Sequence, residues 1–161
     1  MYKSLSITSP DIIPTYHEVF NTNLQPVIQL TNLAAPYLAK TKGNIINISS
    51  VLSKSCLQIP QFTLYGMSKA ALDYFSRGSA LELASSGVRV NVVSPGPVRT
   101  AMLASGGGSN RSDEDNLNLT ILRRISEPVE IADVILFLAS EKAIGITGGY
   151  YNVDNGCLIK F

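Results

Sequence analysis

The sequence predicts an α/β protein with a parallel sheet and helices on its faces. Three observations carry this expectation. Short β-branched runs alternate with long helical periods, in the order helix, strand, helix, strand, helix, strand. Strands separated by whole helices need crossover connections, which favour parallel pairing. The chain has 161 residues, 45% of them hydrophobic and 16% charged, which suits one globular domain over 1–161 and excludes a disordered chain.

Each element follows from its residues. From Thr15 to Ala39 the pattern is helical, with Val19, Phe20, Leu24, Val27, Ile28, Leu30, Leu33 and Ala34 as its apolar positions. Pro26 has no amide hydrogen to donate, so this helix should kink near Asn23. Lys42-Gly43 ends it. Asn44 to Ser49 is short and β-branched and reads as a strand. Residues 51–62 form a loop containing Pro60. Thr63 to Ala84 is a long helix packing through Ala70, Ala71, Leu72, Phe75, Ala80, Leu81 and Leu83, closed by Ser85-Ser86-Gly87. Val88 to Val93 is the second strand, stopped by Pro95-Gly96-Pro97. Residues 101–125 are a long polar segment containing Gly106-Gly107-Gly108. Ser126-Glu127-Pro128 opens a third helix that runs to Leu138. Tyr150 to Val153 is the last strand. The three strands should be adjacent, with a free edge on the Asn44–Ser49 strand.

Composition narrows the function. A net charge of +1 gives no reason to expect nucleic acid. No apolar run reaches the ~18–20 residues that span a membrane, and the first residues lack the apolar stretch of a signal peptide. Cys56 and Cys157 are isolated and have no metal-ligand spacing, so they read as reduced thiols in a cytoplasmic protein. The single His17 reads as a surface helix residue. No metal site is expected.

Chemistry concentrates at Tyr65 and Lys69. Residues four apart share a helix face, so a phenol lies beside an ammonium. A free tyrosine titrates near about 10, and a neighbouring cation favours its ionised form. Such a pair suits acid/base catalysis near neutral pH. Ligands of parallel α/β sheets bind outside the carboxyl ends of the strands. The first two strands end at Ser49-Ser50 and Ser94-Pro95-Gly96, and Tyr65 begins the next helix, so all three face one edge. The triple glycine does not follow a strand and open a helix, so it reads as a substrate lid rather than a phosphate loop.

Several segments then resemble the short-chain dehydrogenase/reductase family in order and spacing. They are Asn21-Thr22-Asn23-Leu24, Asn44 to Ser50, Tyr65-x-x-x-Lys69-Ala70-Ala71-Leu72, Val90 to Thr100, Glu130 to Asp133 with Phe137 to Ser140, and Thr147-Gly148-Gly149 with Val153-Asp154. The resemblance implies a Rossmann-like fold and an oxidoreductase that uses NAD or NADP to interconvert a carbonyl and an alcohol. Tyr65 would be the acid/base, and Lys69 would lower its pKa and hold the nicotinamide ribose. Ser50, in preference to Ser49, would bond the substrate oxygen. Asn23 would hold the kinked helix and a water linking Lys69 to solvent. Pro95 and Gly96 would let the backbone approach the nicotinamide, and Val98 and Thr100 would contact its carboxamide.

The family also uses an N-terminal strand and glycine-rich turn for the cofactor pyrophosphate. This sequence has no such segment and reads as N-terminally truncated relative to the family. Two functions therefore stand side by side: an oxidoreductase, or a truncated, catalytically inactive pseudoenzyme or interaction module. Either is expected to form a homo-oligomer through the helices at 15–39 and 63–84.

Overall fold

The computed structural model describes residues 1, 3–57, 59–104 and 112–160. Three strands, β1 (Asn44–Ile48), β2 (Arg89–Pro95) and β3 (Tyr150–Val153), form one parallel sheet in the order β1-β2-β3. Ile46 lies opposite Asn91, Ile48 opposite Val93, and Val93 opposite Tyr151. The outer side of β1 is a free edge, as the sequence predicts. β2 is central and buried on both faces, with Val90, Val92 and Val93 as its apolar positions. Its one amide, Asn91, is fully buried but satisfied. It donates to the Ile146 carbonyl (2.8 Å) and accepts from the Gly149 amide (3.0 Å), which guides the chain into β3. β2 also runs two residues further than the sequence suggests. Pro95 is its last residue, a position where a missing amide hydrogen is tolerated.

The first helical period is two helices, α1 (Ile12–Asn23) and α2 (Gln25–Thr41), joined at Leu24. Pro26 cannot donate to the Thr22 carbonyl, and the break falls where the sequence places it. α1 buries Thr15, Val19 and Asn23. Among its described residues α2 buries none, and its apolar positions Ile28, Leu30 and Leu33 are exposed. Both α1 and α2 touch α3, and beyond the break the apolar stripe of α2 is left on the surface.

The third helical segment, α3 (Thr63–Leu83), lies on one face of the sheet. Its buried positions are Leu64, Tyr65, Gly66, Ser68, Leu72, Asp73, Ser76, Ser79 and Ala80. Leu81, expected to pack, is 83% exposed. Most of the buried residues are short, which lets the helix lie close to the strands. The Ser76 hydroxyl accepts from Asn47 of β1 (2.8 Å) and donates to the Leu72 carbonyl (2.7 Å).

Residues 101–125 are not simply an irregular polar segment. They contain α4 (Ala101–Ala104) and α5 (Asp113–Leu117), the latter started by a Ser112–Asp115 capping box. The triple glycine read as a lid lies outside the described residues. The last helix, α6 (Pro128–Ala139), starts with Pro128 after a Glu127–Glu130 capping box. Its Ile131 and Leu138 pack with Val93, beside Ile46, Tyr151 and Val153. Side chains alternate between sheet faces, so this is the face opposite Asn47 and Ser94. A second apolar cluster joins Val51, Leu57, Ile59, Phe62, Tyr65, Leu119 and Cys157 beside the carboxyl edge of the sheet. Neither cysteine is in a disulfide; Cys157 is buried and Cys56 exposed.

Leu72 is 1% exposed at the centre of this packing. Leu72→Ala is expected to cost about 2–5 kcal/mol in urea unfolding, whereas Ile159→Ala, at an exposed position, should stay within about 0.5 kcal/mol.

Candidate active site

The ends of β1 and β2, the loop after β1 and the first turns of α3 enclose a cavity of about 520 Å³. Seven residues singled out from the sequence line it: Ser50, Tyr65, Lys69, Pro95, Gly96, Val98 and Thr100. Asn23 does not. Its side chain lies behind α3, donating to the Ser68 hydroxyl (3.1 Å) and the Met1 carbonyl (2.7 Å). It therefore touches the helix that presents Lys69 and not the cavity itself.

Tyr65 is 8% exposed, with one side against the apolar cluster and the other on the cavity. Burial pushes its phenol above the ordinary tyrosine pKa of 10.0, and a hydrogen bond with Ser50 opposes that rise. Lys69 shares the cavity wall, as the four-residue spacing requires. Its ammonium lies 5.8 Å from the centre of the Tyr65 ring and donates to the Ile48 carbonyl (2.9 Å). Burial lowers its pKa, and the charge of Asp73 opposes this. The expectation that Lys69 lowers the Tyr65 pKa is corrected here. In the cofactor-free protein, loss of hydration dominates both groups and drives each towards its neutral form.

Ser50 caps the short 3-10 turn Val51–Ser53, its hydroxyl accepting from the Leu52 amide (3.2 Å). Ser49 also lines the cavity, but its hydroxyl points to the Lys69 carbonyl (3.5 Å). On the opposite wall, the chain from Pro95 to Thr100 is held by backbone bonds. Gly96 donates to the Val153 carbonyl (3.1 Å), and Arg99 donates to the Ser126 carbonyl (2.9 Å). The Thr100 hydroxyl donates to the Val98 carbonyl (3.3 Å). A Cβ at Gly96 would sit 2.9 Å from the Asp154 Cα. The need for glycine at this position thus arises from the turn after β3.

Sequence reasoning missed three residues around the site. Gly66 follows Tyr65 inside a helix, where glycine is unfavourable, and that cost was the available signal. A Cβ there would meet the Leu52 carbonyl at 2.6 Å, so the bare backbone lets the Ser50 loop rest on α3. Tyr150 accepts from Ser53 (2.7 Å) and donates to Ser94 (2.9 Å), tying β3 to the same loop. Asp73 is buried one turn beyond Lys69. Neither Tyr150 nor Asp73 stands out locally, because only the tertiary fold brings them near the site. Among the described residues, no group of three or more His, Cys, Asp or Glu could hold a metal ion.

A parallel sheet flanked by helices, with a phenol and an ammonium at its carboxyl edge, defines a Rossmann-like α/β domain. The chain belongs to the short-chain dehydrogenase/reductase family. A family profile described as Enoyl-(Acyl carrier protein) reductase matches residues 13–157. The chain is 37% identical over 142 residues to the 3-oxoacyl-(acyl-carrier-protein) reductase FabG of Thermotoga maritima, covering 88% of this chain and 56% of that one. It is 33% identical over 141 residues to the uncharacterized oxidoreductase YghA of Escherichia coli, covering 88% and 47%. Among solved structures, one titled as a short chain dehydrogenase/reductase family protein superposes with a TM-score of 0.86 at 34% identity, over 99% of this chain and 64% of that one. ElxO with NADP bound gives a TM-score of 0.88 at 27% identity, over 99% and 64%. The chain thus spans about half the length of these curated relatives.

The raised phenol makes a direct prediction. The phenolate absorbance that distinguishes the native protein from Tyr65→Phe should appear only above pH 10. Because the unfolded tyrosine ionises first, this group's contribution to stability should fall as pH rises above 10. A Tyr65 midpoint below 10 in the cofactor-free protein would contradict the account of burial.

Proposed function

We propose that this chain carries the acid/base part of a nicotinamide-dependent oxidoreductase interconverting a carbonyl and an alcohol. The observation that supports this most is the meeting of Ser50, Tyr65 and Lys69 on one cavity wall at the carboxyl edge of a parallel sheet. Tyr65, held protonated by its surroundings, gives its proton to the substrate oxygen during reduction and takes it back during oxidation. The Ser50 hydroxyl bonds the same oxygen and can donate or accept as the carbonyl becomes an alcohol. Its bond to Tyr65 favours Ser50 over Ser49 in this role. Asn23 acts at a distance, bracing α3 through Ser68.

The cavity residues fit the nicotinamide end of NAD or NADP. The Lys69 ammonium, with one bond to Ile48, retains donors for ribose hydroxyls. The wall from Pro95 to Thr100 offers backbone and the Val98 and Thr100 side chains to the carboxamide. When bound, the cofactor supplies the hydride. A cation at Lys69 then stabilises a phenolate at Tyr65 in the oxidative direction. The described residues hold no glycine-rich strand–turn–helix for the pyrophosphate, so the inactive module is the reading that remains should binding fail.

The substrate wall is apolar, formed by Val51, Leu57, Ile59, Phe62, Met102 and Leu119. A carboxylate desolvated there would need a cation. Among the described residues, Arg99 already pairs with Glu127 (3.1 Å) and Arg124 with Glu130 (2.7 Å). The Lys69 ammonium of the cavity wall is taken by the nicotinamide ribose in this reading. We therefore assign an uncharged, apolar carbonyl or alcohol as substrate. Assayed with NADH and NADPH, an apolar ketone should exceed a 2-oxo acid of equal length by at least about tenfold in kcat/KM. Tyr65→Phe should lower turnover by about 10²–10⁴-fold while leaving cofactor binding largely intact. Lys69→Ala should damage both. Full activity in Tyr65→Phe overturns the reading.

The same reading includes a homo-oligomer through α2 and α3. Leu30, Leu33 and Tyr37 on α2, and Tyr74 and Leu81 on α3, are each at least 65% exposed. A second copy offering the same helices would cover them. Light scattering should report a dimer or larger species, and Leu33→Glu combined with Leu81→Glu should shift it to monomer. A monomer before substitution removes this part of the proposal.

A further inference from the structure

Asp73 has no role in the chemistry above, yet its placement is costly. It is 9% exposed, and its Oδ1 is buried without a hydrogen-bond partner. A buried carboxylate oxygen left unpaired costs free energy that a neutral residue at the same position would avoid. It lies four positions after Lys69, so the two side chains leave the same face of α3 one turn apart. Tyr65, Lys69 and Asp73 therefore form one row, with the cavity at its first end and the buried carboxylate at its last.

We propose that Asp73 is the counter-ion of Lys69, keeping the ammonium charged inside the protein and positioning it for the acid/base pair. The positioning role rests on the oxidoreductase reading. The counter-ion role stands on the placement of a buried carboxylate one helical turn from a half-buried ammonium. Burial pulls the Lys69 pKa down, and Asp73 is the group whose charge resists it. The Lys69 hydrogen bond to Ile48 satisfies one donor but brings no negative charge.

The surroundings leave Asp73 as the only acid in this role among the described residues. On α3, the titrating and charged neighbours are Tyr65, Lys69 and, one turn beyond Asp73, the exposed Arg77. From β3 comes Tyr150, whose phenol is raised chiefly by burial, with the charge of Asp73 and a hydrogen bond to its carboxylate adding to the rise, so it stays neutral. From the loop after β1 comes Lys54, whose ammonium lies 3.2 Å from the centre of the Tyr150 ring. The Met1 amino group also faces Lys69 and repels it. β1 contributes Asn47 and Ser49, and β2 contributes Ser94, none of which titrates. One carboxylate thus faces several cationic or neutral groups.

The test is an NMR titration of the cofactor-free protein labelled with ¹³Cε-lysine, the Lys69 signal being assigned by its loss in Lys69→Arg. In Asp73→Asn and Asp73→Leu, the Lys69 midpoint should fall below that of the unmodified protein, while Asp73→Glu should keep it close. Tyr150→Phe should leave it in place. In the unmodified protein, the Asp73 carboxyl ¹³C signal should inflect at the Lys69 midpoint, a readout that needs no variant at 73. An unmoved midpoint in either folded neutral variant, an equal fall in Tyr150→Phe, or no inflection at Asp73 overturns the proposal. None of these signals needs turnover. If the oxidoreductase reading fails in the Tyr65→Phe assay, the titration still decides whether Asp73 is the counter-ion.

Discussion

The close seating of α3 on the sheet is the constraint on which the rest of this structure depends. A helix lies this near a sheet only if its contact face is narrow. Here Gly66, Ser68, Ser76, Ser79 and Ala80 supply that face, with Leu72 as the central apolar anchor. Short hydroxyl side chains satisfy themselves on the preceding helical turn, as Ser68 does on the Tyr65 carbonyl (2.7 Å) and Ser76 on that of Leu72 (2.7 Å). They can therefore be buried at little cost. This seating brings Tyr65 and Lys69 over the carboxyl ends of β1 and β2, and the bare backbone of Gly66 admits the loop that carries Ser50. The site is thus a product of helix–sheet distance as much as of residue identity.

The fold was legible because its signals are local. β-branched runs marked the strands, Gly87 and Pro128 marked helix ends, and Pro26 marked the break at Leu24. The order of the elements then left parallel pairing as the economical topology. Ser50, Pro95 and Gly96 were legible for the same reason, since strand ends in a parallel sheet share an edge, whereas Val98 and Thr100 were legible only through the family resemblance. What the sequence hid depends on environment. Periodicity marks an apolar stripe but does not say what covers it, so the pattern that marks Leu30, Leu33 and Leu81 does not tell that they lie on the surface. Asp73 and Tyr150 are distant in sequence, and their meeting is a property of the packed sheet.

Electrostatics shows the same division. Spacing alone places a cation beside a phenol and suggests that the phenol is acidified. The structure adds desolvation, which acts on each charge before the two act on each other. The Tyr65 phenol is held towards its protonated form and Lys69 is drawn towards its neutral form. A chemically useful pair in such a place depends on further charges, whether from neighbouring side chains or from a bound molecule. Buried polar groups beside an active site are in this sense part of its acid–base chemistry, although they never meet the substrate.

The crowding at Gly96 reaches further than the cavity wall. The residue it touches, Asp154, uses both carboxylate oxygens to hold the chain beyond β3, accepting from the Gly156 amide (3.0 Å) and the Leu158 amide (2.9 Å). That turn seats Cys157 and Leu158 against the cluster that supports Tyr65. One added methyl at 96 would push on the turn, and the turn would pass the displacement to the floor beneath the phenol. The two ends of the site are geared together through main chain, so the room for mutational drift at this glycine is set by a tyrosine thirty-one positions away.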